Sequence, residues 1–299
     1  MSETYKKYFN PKVLSRVAAL ELKARQVVEG IVTGLHKSPY HGISVEFAEH
    51  REYVQGDEIK HIDWRVYARS DRFFSKQYEE ETNMRCYIFL DTSESMLYCS
   101  KKTTKLEYAS LLAASISYLL LQQRDSCGLV TFDDKVNSYL PPRNNPKHFR
   151  LILRELEIAK PGLKTDISTV FHDLAERIKK RGLVIIVSDF FSDIEKTLLG
   201  LAHLKHKKHE VIVFHVLDRA EATFPFTDMT LFKGLEQKGD ILAEAWSLKQ
   251  GYLENFRKFE EEIKKGCRSK KIDYVQMLTD EPLDLKLSKY LTTRIGRRH

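Results

Sequence analysis

Apolar positions along the chain follow two different periods. Over residues 12–35, Val13, Leu14, Val17, Leu20, Ala24, Val27, Val28, Ile31 and Leu35 recur at spacings of three and four, which predicts a helix with one buried stripe; Gly34 and Pro39 are its stop signals. From residue 86 onward, short continuous apolar runs alternate with longer amphipathic ones. CYIFLD (86–91), SCGLVTFDD (126–134), GLVIIVSD (182–189), HEVIVFHVLD (209–218) and IDYVQML (272–278) predict buried strands. LEYASLLAASISYLLLQQ (106–123) predicts a helix that is apolar on more than one face, and further helices are expected over 146–159, 167–180, 194–204, 248–265 and 282–292. A short strand is expected at 136–140 before a turn at Pro141-Pro142, and a hairpin from TLFKGLE and DILAEAW about Lys238-Gly239. Strands alternating with helices in this way predict an α/β fold: a doubly wound, mostly parallel sheet with helices on both faces.

Between the first helix and residue 85 the character changes. A dense mixture of charged and aromatic residues with turn signals at His41-Gly42 and Gly56-Asp57 predicts short strands and turns rather than a linker. The expected organisation is therefore an N-terminal helix and small strand-and-turn region, 1–85, packed on a doubly wound domain, 86–299. A hairpin and long helix are inserted in that domain at about 219–270.

Composition narrows the class. With 299 residues, 42% apolar and 30% charged, the chain is long enough for a sizeable core, which excludes disorder and a disulfide-framed mini-protein. Cys86, Cys99, Cys127 and Cys267 form no C-x-x-C pair, the first residues are too polar for an export signal, and no window approaches the ~18 apolar residues of a membrane span. A cytoplasmic protein with no membrane span is expected. The net charge of +7 is spread along the chain without zinc-finger spacing or an aromatic RNA-binding signature, so no nucleic-acid partner is expected.

Candidate chemistry falls where an open parallel sheet binds ligands, beyond the carboxyl ends of its strands. Asp91-Thr92-Ser93-Glu94-Ser95 follows the first core strand, Thr165-Asp166 precedes a helix, and Ser188-Asp189 ends another strand. Each feature alone is also an ordinary helix cap, with Asp91, Ser93 or Thr104 satisfying free backbone amides. Together they supply carboxylates and hydroxyls with few thiols or imidazoles among them, a donor set suited to Mg²⁺.

These residues carry a resemblance. Asp91-x-Ser93-x-Ser95 with Thr165 and Asp189 is similar to the metal-ion-dependent adhesion site of von Willebrand factor type A domains. GISVEFAEHREYVQGDEIKHIDWRVYARSDRFFSKQYEEETN, running into the metal-site strand, and the closing IDYVQMLTDEPLDLKLSKYL resemble the bacterial family called domain of unknown function 58. The resemblance implies a type A-like fold in which Asp91, Ser93 and Ser95 lie around Mg²⁺, with Mn²⁺ the alternative. Thr165 would bind directly or through water, Asp189 through water, and a partner protein's carboxylate would take the open position. It also implies a MoxR-type AAA+ ATPase as partner. The chain departs from the pattern at Lys164, where many type A domains have glycine; an ammonium turned inward there would weaken cation binding.

The upstream residues Arg51, Asp57, Asp63, Trp64, Arg65, Arg69 and Arg72 read as a paired polar seam under packing residues, or as a partner-facing surface beside the metal. The expected function is a non-enzymatic, Mg²⁺-dependent protein-interaction module that works in assembling or activating other proteins. A metal-independent scaffold is the alternative. A Mg²⁺ phosphohydrolase is disfavoured because Ser93 stands where an Asp-x-Asp proton donor is needed, and a serine hydroxyl is no acid at neutral pH.

Overall fold

The computed structural model describes residues 11–36, 50–52, 74–76, 84–162, 167–234 and 239–296. They fall into two compact units, one of residues 1–37 with 84–299 and one of residues 38–83. In the smaller unit the described strands β1 (His50–Glu52) and β2 (Phe74–Lys76) pair antiparallel, with Arg51 opposite Ser75.

The larger unit opens with α1 (Pro11–His36), whose Leu20, Ala24, Val28 and Ile31 are buried at the predicted spacing. Its strands are β3 (Arg85–Asp91), β4 (Ser126–Phe132), β5 (Val136–Arg143), β6 (Leu183–Ser188), β7 (Glu210–Leu217) and β10 (Asp273–Leu278). They form one sheet in the order β10-β7-β6-β3-β4-β5, parallel except for β5 at the edge. The helices are α2 (Lys105–Gln122), α3 (Pro146–Ile158), α4 (Ile167–Arg177), α5 (Ile194–His206), α6 (Arg219–Thr223), α7 (Ala245–Ser269) and α8 (Leu283–Gly296). Between β7 and β10, strands β8 (Met229–Lys233) and β9 (Asp240–Glu244) make a separate antiparallel pair.

Strand side chains alternate between two cores, as the two-residue period requires. Cys86, Ile88 and Leu90 of β3 join Leu112, Ile152 and Leu287 of α2, α3 and α8 on one face, together with α1. Tyr87 and Phe89 point to the other, against Phe171, Leu201 and Ile263 of α4, α5 and α7. The doubly wound expectation thus describes the architecture, and α2 is buried on several sides because it lies between the sheet, α1 and α3.

Three local readings differ. The N-terminal helix, expected with the 1–85 segment, belongs to the larger unit because its apolar stripe completes the core over α2. Pro141-Pro142, read as a turn, lies inside β5; an edge strand tolerates prolines whose missing N–H groups face away from the ladder. The short helix α6 is an addition, closed by a capping box in which Asp218 and Glu221 each accept the other's backbone N–H.

Candidate metal centre

The chain runs outward from β3 through β4 to β5, then returns to the opposite side of β3 to lay down β6, β7 and β10. The order therefore reverses between β3 and β6, and the crevice beyond their carboxyl ends is where such sheets bind ligands. Asp91 is the last residue of β3, and Ser188-Asp189 closes β6.

Asp91 is fully buried. One carboxylate oxygen, Oδ1, accepts the Ser93 N–H at 2.9 Å; the other, Oδ2, accepts the Ser188 hydroxyl at 2.5 Å. Burial, then the nearby Asp189 carboxylate, pushes the Asp91 pKa up to about 7 against these hydrogen bonds. After Ser93 the chain makes a tight helical turn, Glu94–Leu97, which the Ser93 side chain does not cap. Its hydroxyl instead shares a hydrogen bond with that of Ser95 at 3.0 Å, and its side chain also bonds the Asp91 carboxylate. The capping role belongs to Thr104, whose hydroxyl accepts the Glu107 N–H at 3.0 Å.

Asp189 is differently engaged. Phe190 adopts a left-handed φ of 55°, a conformation costly for a bulky residue, and the resulting turn lets Asp189 Oδ1 accept the Phe191 N–H at 3.1 Å. Its Oδ2 accepts from the ammonium of Lys105 at 2.7 Å, and the same ammonium donates to Glu221 Oε1 at 2.6 Å. Lys105 is 0% exposed and lies 4.7 Å from the centre of the Phe191 ring. Burial by itself would depress its pKa, but the two carboxylates outweigh it and hold the group above its ordinary value. Behind Asp189, the backbone carbonyl accepts from His215 Nε2 at 2.9 Å, which leaves Nδ1 as acceptor for the Tyr274 hydroxyl at 2.7 Å. Burial pulls that imidazole down to about 4, so it is neutral.

The structure thus brings together four of the expected residues: Asp91, Ser93, Ser95 and Asp189. Thr165 and Lys164 lie outside the described residues. So do Asp57, Asp63, Trp64, Arg65, Arg69 and Arg72, while Arg51 is described only as a backbone position in β1. The loop that leads to Thr165 passes the site at Gly162, whose N–H donates to the Thr92 carbonyl at 2.9 Å and which bridges to Ser93. A Cβ at Gly162 would collide with the Asp133 carboxylate, so the close approach needs glycine.

Sequence reasoning missed Lys105 and Glu221 as neighbours of the site, and it placed Ser188 at the strand end without giving it a partner. The signals were faint but present. A lysine at the first position of a mostly apolar helix is unfavourable to the helix dipole, and Asp218-x-x-Glu221 after a strand reads only as a cap. Among the described residues no group of three or more His, Cys, Asp and Glu side chains is arranged to hold a metal, so any ion here relies on hydroxyls. The donor chemistry fits Mg²⁺ on those terms. Neighbouring ligands of an octahedral Mg²⁺ at 2.0–2.1 Å stand about 2.9 Å apart, and the two serine oxygens are 3.0 Å apart. The buried Asp91 charge is one that a cation would neutralise.

A family model described as "Protein of unknown function DUF58" matches residues 49–259. The uncharacterized protein Rv1480 of Mycobacterium tuberculosis is 26% identical over 72% of this chain and 68% of its own length. The uncharacterized protein YeaD of Bacillus subtilis is 27% identical over 36% of this chain and 25% of its own length. Solved structures with similarity include the conserved hypothetical protein BatB of Bacteroides thetaiotaomicron, at 19% identity over 71% of this chain and 99% of that one, with a TM-score of 0.46. An aerotolerance-related membrane protein of Bacteroides fragilis aligns at 17% identity over 72% of this chain and 99% of that one, with a TM-score of 0.47. Among the described residues no helix is long and apolar enough to cross a membrane.

Proposed function

The chain belongs to the DUF58 family of proteins of unknown function, and from that membership we propose that it is a non-enzymatic protein-interaction module whose recognition depends on Mg²⁺ held at the carboxyl ends of β3 and β6. The observation that carries this reading is the Ser93–Ser95 hydroxyl pair, 3.0 Å apart beside a buried Asp91 whose charge lacks a cationic side-chain partner among its hydrogen bonds. Asp91, Ser93 and Ser95 would hold the ion, Thr165 would add a ligand from its loop, and Asp189 would act through water. Bound there, the ion supplies a Lewis-acidic position for a carboxylate from a partner protein. Mn²⁺ would be an acceptable substitute. The partner implied by the family resemblance is a MoxR-type AAA+ ATPase, and the task would be assembly or activation of other proteins.

The test is capture of that ATPase on immobilised wild-type protein and on D91N, with Mg²⁺ throughout so that the ATPase keeps its own ion. Capture by the wild type that drops more than tenfold with D91N supports metal-dependent recognition. Equal capture by both folded proteins overturns it and leaves a metal-independent scaffold, for which Lys105, an internal cation already neutralising Asp189, is the supporting observation.

A further inference from the structure

Lys105 is a fully buried lysine whose ammonium reaches two carboxylates on separate elements. Lys105 opens α2, Asp189 follows β6, and Glu221 lies on α6. Both carboxylate–ammonium distances are under 3 Å, at 2.7 Å and 2.6 Å. With its other oxygen on the Phe191 N–H, Asp189 has a fixed donor at each oxygen. Asp91 also has a donor at each oxygen, but its partners are neutral: the Ser93 N–H and side chain and the Ser188 hydroxyl.

We propose that Lys105 is a positioning residue that withdraws Asp189 from direct contact with the metal and leaves Asp91, of these two carboxylates, as the one without a cationic partner. The inference rests on the Mg²⁺ reading above and sharpens it. A dication on one carboxylate and neutral hydroxyls keeps a net positive charge, and beside the buried Asp91 and Ser93 that charge is best relieved by an anionic ligand from outside. The pairing would thus keep the ion weakly bound to the isolated chain and favour the complex with a carboxylate-bearing partner. If Asp189 were free, two carboxylates would neutralise the ion and reduce its need for a third.

The experiment is Mn²⁺ binding to the full chain, read from the free-ion electron paramagnetic resonance signal with Mg²⁺ as competitor and with circular dichroism to verify folding. Lys105→Met combined with Glu221→Gln removes one positive and one negative charge, leaves the cluster's net charge unchanged, and frees Asp189. That double variant is expected to bind Mn²⁺ at least tenfold tighter than wild type, and adding Asp189→Asn should return the affinity to the wild-type level or below. A folded double variant with wild-type affinity overturns the inference, while D91N-sensitive binding in the wild type still upholds the metal reading. No Mn²⁺ binding in wild type or double variant overturns both. Should the double variant not fold, Asp189→Asn in the otherwise native chain decides: a change within threefold upholds the withdrawal of Asp189, and a loss above tenfold overturns it.

Discussion

Replacing Asp91 by asparagine removes a buried charge while keeping the shape and the Oδ1 acceptor that takes the Ser93 N–H. In the metal-free protein the Asp91 carboxyl is pushed up to about 7 by burial and by Asp189, whereas in the unfolded chain an aspartate ionises near 3.9. The native state therefore holds a proton that the unfolded state has released between those two values. The associated stability is fully present below about pH 4 and is lost as pH rises through 7. Three pKa units at about 1.4 kcal/mol each set a ceiling of about 4 kcal/mol on the cost of ionised Asp91 at pH 8. Asparagine avoids that cost but needs an acceptor for its new amide protons, worth about 1 kcal/mol. D91N should thus be more stable than wild type at pH 8 without metal, by about 2 to 3 kcal/mol, with an advantage that shrinks toward pH 5. Wild type should gain thermal midpoint on adding millimolar Mg²⁺ at pH 8, because a ligand that binds only the native state stabilises it; D91N should not respond. Melting curves at pH 5 and 8, with Mg²⁺ or EDTA, read all of this. A D91N protein less stable than wild type at both pH values, beside a wild type indifferent to Mg²⁺, would reduce Asp91 to a turn residue and refute the reasoning.

Two other outcomes follow from the packing. His215 is held neutral at about 4 by burial, against ~6.5 in the unfolded chain; its contribution is present above pH 6.5 and is lost as pH falls through 4. Urea unfolding at pH 7 and 4.5 should show wild type losing about 2 to 3 kcal/mol more than H215Q over that interval, and equal losses would exclude His215 as the acid-sensitive group. A Cβ at Gly128 would stand 2.6 Å from the Leu140 carbonyl oxygen and 2.8 Å from the Pro142 nitrogen, at the register shift between β4 and β5. G128A should therefore lower stability by about 1 to 3 kcal/mol, and an unchanged denaturation midpoint would show that β5 yields freely.

The candidate site was legible as far as it is local. Asp91, Ser93 and Ser95 lie within five positions, and the strand before them sets their place at its carboxyl end, so one motif held the hydroxyl pair. Asp189 was legible as a strand-end carboxylate, but its state was not. Its partner Lys105 is 84 positions away in the chain, and Lys105 in turn meets Glu221 across 116. The lysine that the motif points to is Lys164, adjacent to the threonine, because adjacency in sequence is all that a motif conveys. Whether Ser93 caps the turn after it was likewise not legible; its hydroxyl does not, and meets the Ser95 hydroxyl instead.

What the sequence determined by itself is the set of elements and their faces. A short, β-branched apolar run such as LVIIV, bounded by glycine and Ser-Asp, fits a strand covered on both sides, and the three-and-four spacing of Leu20, Ala24, Val28 and Ile31 fits a helix with one buried stripe. The tertiary structure alone decided that β3 lies between β4 and β6, that α1 completes the core of the larger unit, and that Pro141 and Pro142 run along an edge strand. It also decided which cation neutralises which buried carboxylate. Periodicity records how much of a residue is covered, whereas charge pairing depends on which groups from distant segments arrive within about 3 Å of one another in a space water cannot enter.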